Sequence, residues 1–358
     1  MLTWLVRKAK RVYFVLRNLR TFLRKEYELH GWPDAWSDLR LLAHGFHSDK
    51  QHLYALGPKG LPLPTYVGDF ERLMLRRVNE PYGPFLDHKA LFAQVFGSQF
   101  RVPVDHGLIR RGVFTPLVEG LDIAPTAAAL QDPRFPDSFV LKRVGGGGGK
   151  DILLVDRGAG DALLVNDDEV SVSELVDTLE MRTYVVNERL TQGTYAQGLY
   201  PGSINTVRVV TMRDSDGPFI AFAVQRIGNS RSRPTDNLNR GGLCALVDPD
   251  TGVLGPARQL EASSAPHPYD HHPDTGAQIT GRAVPGWEAI QEQLLAAMEA
   301  FPGLRYVGWD VVLAEDQMLV LEGNSYPGVQ VAQLHTPLRA DRRVERFFDE
   351  LREQAGAR

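Results

Sequence analysis

The sequence predicts an α+β fold, and three observations carry that reading. Residues 204–212 and 219–226 are long β-branched and apolar runs joined by a turn at 214–218. Tyr306-Val-Gly-Trp-Asp310-Val-Val-Leu313 and Leu319-Val-Leu-Glu322-Gly-Asn324 form a second such pair around Glu315-Asp316-Gln317. Helical patterns lie between the strands: 287–301 is amphipathic, and 171–179 opens on Ser171 with Glu174 three residues later, the reciprocal capping pattern.

Composition sets the bounds. With 358 residues, 43% hydrophobic and 23% charged, the chain has the profile of a soluble globular protein of more than one domain or subdomain. Its single cysteine, Cys244, has no internal partner for a disulfide, which fits a reducing, cytoplasmic setting and reads as a small buried apolar side chain. The net charge of −4 conceals an asymmetry: eight of the 40 Lys and Arg fall in residues 1–25, which hold no Asp or Glu. The remaining body is therefore acidic and lacks a basic patch interleaved with aromatics, which disfavours nucleic-acid binding.

The basic arm, residues 1–29, repeats Leu5, Ala9, Val12, Leu16, Leu19 and Leu23 at helical spacing. It is expected to be one amphipathic helix whose stripe packs on the body, pairs with another helix, or lies on an anionic membrane surface at the inner face. It has neither a spanning apolar run nor the core of a secretory signal. Residues 30–85, rich in His, Gly, Pro and aromatics, read as an irregular, mostly helical cap, with a helix at 69–77. Asp87-His88-Lys89 opens a helix through Phe96, and 100–103 and 106–110 read as short strands. Residues 337–358 form a closing basic helix.

Candidate chemistry begins at Phe139-Val-Leu-Lys142-Arg-Val, followed by Gly145, Gly146, Gly147, Gly148 and Gly149, then Lys150 and the run 152–155. This is a strand, a glycine loop and a strand. Five glycines cost more backbone entropy than a tight hairpin needs, whereas a loop wrapping its amides around phosphate gives that cost a reason; a flexible solvent hairpin is the alternative. Lys142 and Lys150 flank the loop, and strands further on present Arg208 and Arg226, whose guanidinium forks suit phosphate or carboxylate. In the terminal hairpin Asp310, Glu322 and Asn324 offer hard oxygen ligands suited to Mg²⁺, with an ordinary hairpin bearing exposed acids as the alternative. The histidines of 262–285, including His267, His271 and His272, lack a second ligand cluster, so a solvent loop is preferred to a zinc site.

In this order the features resemble the ATP-grasp superfamily. Gly308-Trp-Asp310 with Leu321-Glu322-Gly-Asn324-Ser-Tyr-Pro-Gly328 looks like its magnesium signature. Ile204-Asn-Thr-Val-Arg208 and Asn237-Leu-Asn-Arg240-Gly-Gly242 look like a strand and loop of its peptide-ligating branch. The wider pattern, with His272-Pro-Asp-Thr-Gly276 ahead of Pro285-Gly-Trp287, is similar to the sugar-transfer-associated ATP-grasp family. The resemblance implies two α+β subdomains, 86–190 and 191–336, clasping a nucleotide. It implies Lys89 and Lys142 on the α- and β-phosphates and Gly145–Gly149 as a closing loop with Lys150. It places Glu188 at the adenine and ribose and Asn237 on the nucleotide side. Arg208, Arg226 and Arg240 would act on the γ-phosphate and an acyl phosphate, and Asp310, Glu322 and Asn324 on Mg²⁺, with Mn²⁺ as the alternative ion. The chain departs from the well-known ligases in its amino-terminal part, where no open α/β domain is evident.

The function so implied is ATP- and Mg²⁺-dependent ligation of a carboxylate to an amine through an acyl phosphate, on a saccharide or surface-polysaccharide precursor, with an amino acid as one candidate addition. A kinase acting on a hydroxyl and a non-catalytic nucleotide-binding partner of a polysaccharide assembly are the competing readings. The oligomeric state is open.

Overall fold

The structure is a computed structural model that describes residues 2–30, 39–54, 63–120, 125–145, 152–160, 162–260, 266–315 and 317–357. Gly146, Gly147, Gly148, Gly149 and Lys150 of the glycine loop lie outside the described residues, as do 261–265 of the histidine-rich loop.

Two antiparallel sheets organise the chain. The first contains β1 (Asp105–Arg110), β2 (Val113–Pro116), β3 (Ser138–Arg143), β4 (Ile152–Arg157), β5 (Ala162–Val165), β6 (Asp168–Ser171) and β7 (Thr183–Glu188), in the order β2-β1-β7-β3-β4-β5-β6. The second contains β8 (Thr206–Asp214), β9 (Gly217–Ile227), β10 (Leu243–Val247), β11 (Leu254–Gln259), β12 (Tyr306–Leu313) and β13 (Met318–Asn324), in the order β11-β10-β9-β8-β12-β13.

Side-chain alternation assigns each face. On β3 and β4, Phe139, Leu141, Leu153 and Val155 join a core with the helices Thr126–Gln131 and Val172–Leu179, so Val140, Lys142, Ile152 and Leu154 are left to the opposite face. On β8 and β12, Val207, Val209, Val307, Trp309 and Val311 pack under the helix Trp287–Ala300. Val210, Met212 and Tyr306 point the other way, into a core with Val344, Phe347 and Phe348 of the terminal helix Arg342–Ala357. Arg208 and Asp310 share the parity of that second face. Covered on both sides, β12 is buried along its whole length.

Several expectations need correcting. The segment 100–103 is not a strand: Pro103 has no amide hydrogen to give a ladder. It runs beside both sheets instead, accepting from Val320 N at Arg101 O (2.9 Å), with Val104 O accepting from Glu188 N (2.8 Å). The strands β2, β5, β6 and β11 were not foreseen; β5 and β6 are joined at Asn166 and Asp167, both at positive φ. A boundary at residue 86 cuts through the helix Gly83–Asp87. Leu86, Phe92, Phe96 and Phe100 pack with Trp309 and Val320 against the second sheet, so this segment belongs with 191–336 by packing.

The cap is likewise fastened to the second sheet. Asn79, buried, accepts at Oδ1 from Arg305 N (2.8 Å) and Tyr306 N (3.1 Å) and donates to Tyr306 O (2.5 Å) and Ser325 O (2.8 Å). Gln333 joins Val67 N (2.6 Å), Val67 O (3.1 Å) and the Tyr54 hydroxyl (3.0 Å).

The arm is one helix, α1 (Leu2–His30), but the face it docks is not the apolar stripe. Asn18, Phe22 and Glu26, spaced by four, are the buried positions. Phe22 stacks on His47 at 4.5 Å and meets Phe70 edge-on at 5.9 Å, while Glu26 accepts from Ser48 N (3.1 Å) and Ser48 Oγ (2.5 Å). Val12, Leu16 and Leu19 stay exposed and Leu23 is half-buried; the side chain of Leu5 lies outside the described residues. Two polar residues on the docked face, both satisfied, make it invisible to a hydrophobic-periodicity reading.

Because Asn79 closes four backbone bonds at once, Asn79→Ala is expected to lower stability by about 3 kcal/mol, read as a reduced thermal unfolding temperature. An unchanged Tm would show that the cap does not brace the β12–β13 hairpin.

Candidate active site

Between the sheets lies a cavity of about 540 Å³, lined from the first sheet by Val140, Lys142, Leu154 and Glu188 and from the second by Arg208, Arg226, Asp310, Glu322 and Asn324. A groove of about 660 Å³ near Tyr195, Ile290 and Glu315 contains none of this charged set. The chemistry therefore sits in the inter-sheet cleft.

Its centre is a row across three strands: Arg208 on β8 faces Asp310 on β12, and Asp310 faces Glu322 on β13. A β-bulge creates the last pairing. Asp310 pairs with Glu322 while Val311 pairs with Val320, so Leu321 is the extra residue. Strict alternation would put Glu322 on the core face with Val320. The bulge rephases the strand, and both Leu321 and Glu322 line the cleft.

Asp310 is 2% exposed. Arg208 grips it through Nε, and through Nη2 at 2.7 Å, and Arg226 Nη1 donates to it at 3.2 Å. Burial pushes the Asp310 carboxyl up, but the Arg208 and Arg226 guanidinium groups more than offset it, leaving a pKa of about 2. Burial likewise opposes charge on Arg208, and Asp310 outweighs it and raises that pKa. Arg226 is held on its other side by Asp236 at 2.6 Å, which also accepts from Thr206 N (2.9 Å) and Oγ1 (2.6 Å). Burial raises the Asp236 pKa despite Arg226.

Lys89, the first residue of the helix Lys89–Phe96, sends Nζ to Glu322 Oε2 at 2.6 Å. Lys142, across the cleft on β3, is lowered to about 8, first by burial and then by Lys89, against Glu322, Asp105 and Asp310. Asp105, which accepts from Asn187, is raised to about 6 by burial, against Lys142. Two lysines thus flank a carboxylate pair in the cleft.

The other expected residues divide. Gly145 ends the described part of its loop and is exposed. Glu188 lines the cleft, yet its carboxylate already accepts from Val104 N (3.1 Å) and Arg101 Nη2 (3.4 Å). Asn237 lines it too, with its oxygen accepting from Asn239 N at 2.9 Å. Arg240 is exposed at the end of the 3-10 turn Leu238–Arg240 and is absent from the cavity lining. His272 is a latch: its Nδ1 accepts from Asp274 N (3.2 Å) and Thr275 N (3.3 Å), so Nε2 is the donor to Gly228 O at 2.8 Å.

The sequence reading missed Asp236, Asp105, Arg72 and Lys25. Asp236 immediately precedes the Asn237 loop, which was a usable signal; the others needed coordinates. Arg72 and Lys25 come from the cap and α1 into the same lining. Arg72 donates to Pro327 O (3.1 Å) and Tyr326 O (3.2 Å) and lies 4.0 Å above the Tyr326 ring.

As a test for a divalent ion, the hairpin offers two adjacent carboxylates and an amide on one face, all hard oxygen donors. Each carboxylate oxygen keeps lone pairs beyond those used by Arg208, Arg226 and Lys89. The donor set fits Mg²⁺.

Two antiparallel sheets face each other across a cleft lined by lysines, arginines and paired carboxylates. The chain belongs to the sugar-transfer associated ATP-grasp family, whose model matches residues 70–346. Among solved structures it is similar to D-alanine-D-alanine ligase from Helicobacter pylori (9% identity, TM-score 0.41, 74% of this chain and 61% of that one). It is similar also to L-amino acid ligase from Bacillus licheniformis (12%, 0.37, 74% and 44%). A third is an N5-carboxyaminoimidazole ribonucleotide synthetase solved as its ADP complex (11%, 0.40, 71% and 51%). The chain thus spans less than two thirds of each of these. Comparison with curated proteins gave no match.

Asp236→Ala would leave Arg226 half-compensated and orphan the Thr206 amide; it is expected to cost about 3–5 kcal/mol of stability by thermal or denaturant unfolding. A loss below about 1 kcal/mol would mean that Asp310 alone suffices to hold Arg226.

Proposed function

We propose that this protein is an ATP- and Mg²⁺-dependent carboxylate–amine ligase acting on a saccharide-linked substrate. The observation that carries the reading is the in-register Arg208–Asp310–Glu322 row facing Lys142 across the inter-sheet cavity. Membership of a family described as sugar-transfer associated supports the substrate class.

The cleft supplies the matching parts. Apolar lining from Val140, Ile152, Leu154, Leu190, Ile204 and Leu321 suits a nucleobase. Lys89 and Lys142, which line the cleft, are proposed to meet the phosphate oxygens. Asp310, Glu322 and Asn324 would hold the metal, which when bound supplies Lewis-acid polarisation of the phosphate oxygens.

A carboxylate attacking the γ-phosphorus brings two anions together. Arg208 and Arg226 reduce that repulsion, and their fixed positions on β8 and β9 mean that little reorganisation is needed as charge spreads over the transferring oxygens. The O–P bond to the carboxylate forms as the bond to ADP breaks. The amine then attacks the acyl carbon, phosphate departs, and the amine proton passes to solvent or a basic group. Excluding water from the cleft protects the acyl phosphate. Arg72 and Lys25, at the cap side of the lining, are proposed to face the acceptor.

Glu322→Gln, which leaves the buried Arg208–Asp310 pair intact, is expected to reduce turnover by about 100-fold or more with little change in Tm. Unchanged ATP consumption would refute the metal assignment. Product mass tests the reaction: an amide with ADP and phosphate supports ligation, whereas a stable phosphorylated product establishes the kinase reading.

Nucleotide affinity should also depend on pH in a set direction. Phosphate favours the ammonium form of Lys142, which deprotonates near 8 in the free protein. Binding is therefore full below that value and should be about tenfold weaker near pH 9 than near pH 7, measured by calorimetry. Lys142→Met should remove that dependence.

A further inference from the structure

We infer that α1 is a docking element for an anionic membrane surface, with the stripe containing Val12, Leu16 and Leu19 seated among the lipid chains and its arginines among the headgroups. Two features of the helix carry this. The docking of α1 on the body uses Asn18, Phe22 and Glu26, and the apolar stripe, about 60–120° round the helix from Phe22, stays outside the docked surface. Val12 is 50%, Tyr13 67%, Leu16 58% and Leu19 39% exposed, a continuous band rather than scattered side chains.

The second feature is charge. Arg17, Arg20 and Arg24 are exposed and, at 100° per residue, flank the stripe on the side opposite the docked face. The sequence of residues 1–25 contains eight Lys and Arg and no acid, within a chain whose net charge is −4. A second copy of the chain would bring like-charged arms together. An anionic bilayer satisfies both halves: apolar residues leave water, and the arginines meet headgroup phosphates. Among the described residues no helix is long and apolar enough to cross a membrane, so the contact is peripheral. Further along the same helix, Lys25 lines the inter-sheet cleft, so docking would set the cleft at a fixed distance from the surface.

The inference does not depend on the ligase reading, since it concerns lipid binding in the absence of any substrate. Flotation of the full chain with vesicles of phosphatidylcholine alone, and of phosphatidylcholine mixed with phosphatidylglycerol, tests it. Binding to the mixed vesicles only, weakened by salt, is expected. Leu16→Glu with Leu19→Glu, and separately Arg17→Ser with Arg20→Ser, should each weaken that binding at least tenfold, with Tm and solution ATP turnover unchanged. Equal binding to both vesicle types, no binding to either, or indifference to the substitutions would overturn it. So would a vesicle-free dimer, seen by light scattering, that the glutamate pair dissolves.

Discussion

The buried carboxylate of Asp310 is the constraint on which the rest of the site depends. An ionised group so deep in a protein costs several kcal/mol unless charge and hydrogen bonds meet it. Arg208 meets it from the neighbouring strand and Arg226 from the next. Those guanidinium groups in turn need counter-charge: Asp236 serves Arg226, and the Thr206 backbone and hydroxyl serve Asp236. The result is a chain of compensated charges laid across β8, β9 and β12, in which Asp310, Arg226 and Asp236 are each held by two partners and Arg208 by both oxygens of Asp310.

That network of held charges would suit the proposed binding of a further anion. Asp310 stays ionised far below neutral pH, while Lys142 sits near the point of losing its proton. The two lobes thus play different electrostatic parts. The second sheet supplies a fixed set of paired ions, and the first contributes a lysine whose burial is tolerated poorly until an anion arrives. A polyanion entering the cleft would relieve the first lobe and find the second already ordered.

The amino-terminal third, whose described residues form no open α/β domain, is integrated with the second sheet. Asn79 and Gln333 bind the cap to the hairpin and to the segment that follows it, and Arg72 clasps the backbone at Tyr326 and Pro327. This segment helps form the cation-rich side of the cleft, and α1 is held to it through Phe22 and Glu26. An element that looks like an appendage in the sequence is therefore mechanically continuous with the site.

What the sequence determined by itself is considerable. The long hairpins, the capped helix at Ser171, the helix starting at Lys89 and the set Lys142, Arg208, Asp310 and Glu322 were all legible, because periodicity and residue chemistry are local properties. Tertiary structure alone decided which faces these residues occupy. The bulge at Leu321 brings Glu322 to the side of Asp310, which alternation would deny, because the extra residue appears only when β13 is paired with β12. Asp236 gains meaning from a partner ten residues earlier on another element, and Arg240, as suggestive as Arg226 in sequence, is exposed outside the cavity lining. On α1 the periodic stripe was legible, but which face docks on the body was left open by the sequence: docking follows complementarity with Ser48 and His47, and satisfied polar residues carry it as readily as apolar ones.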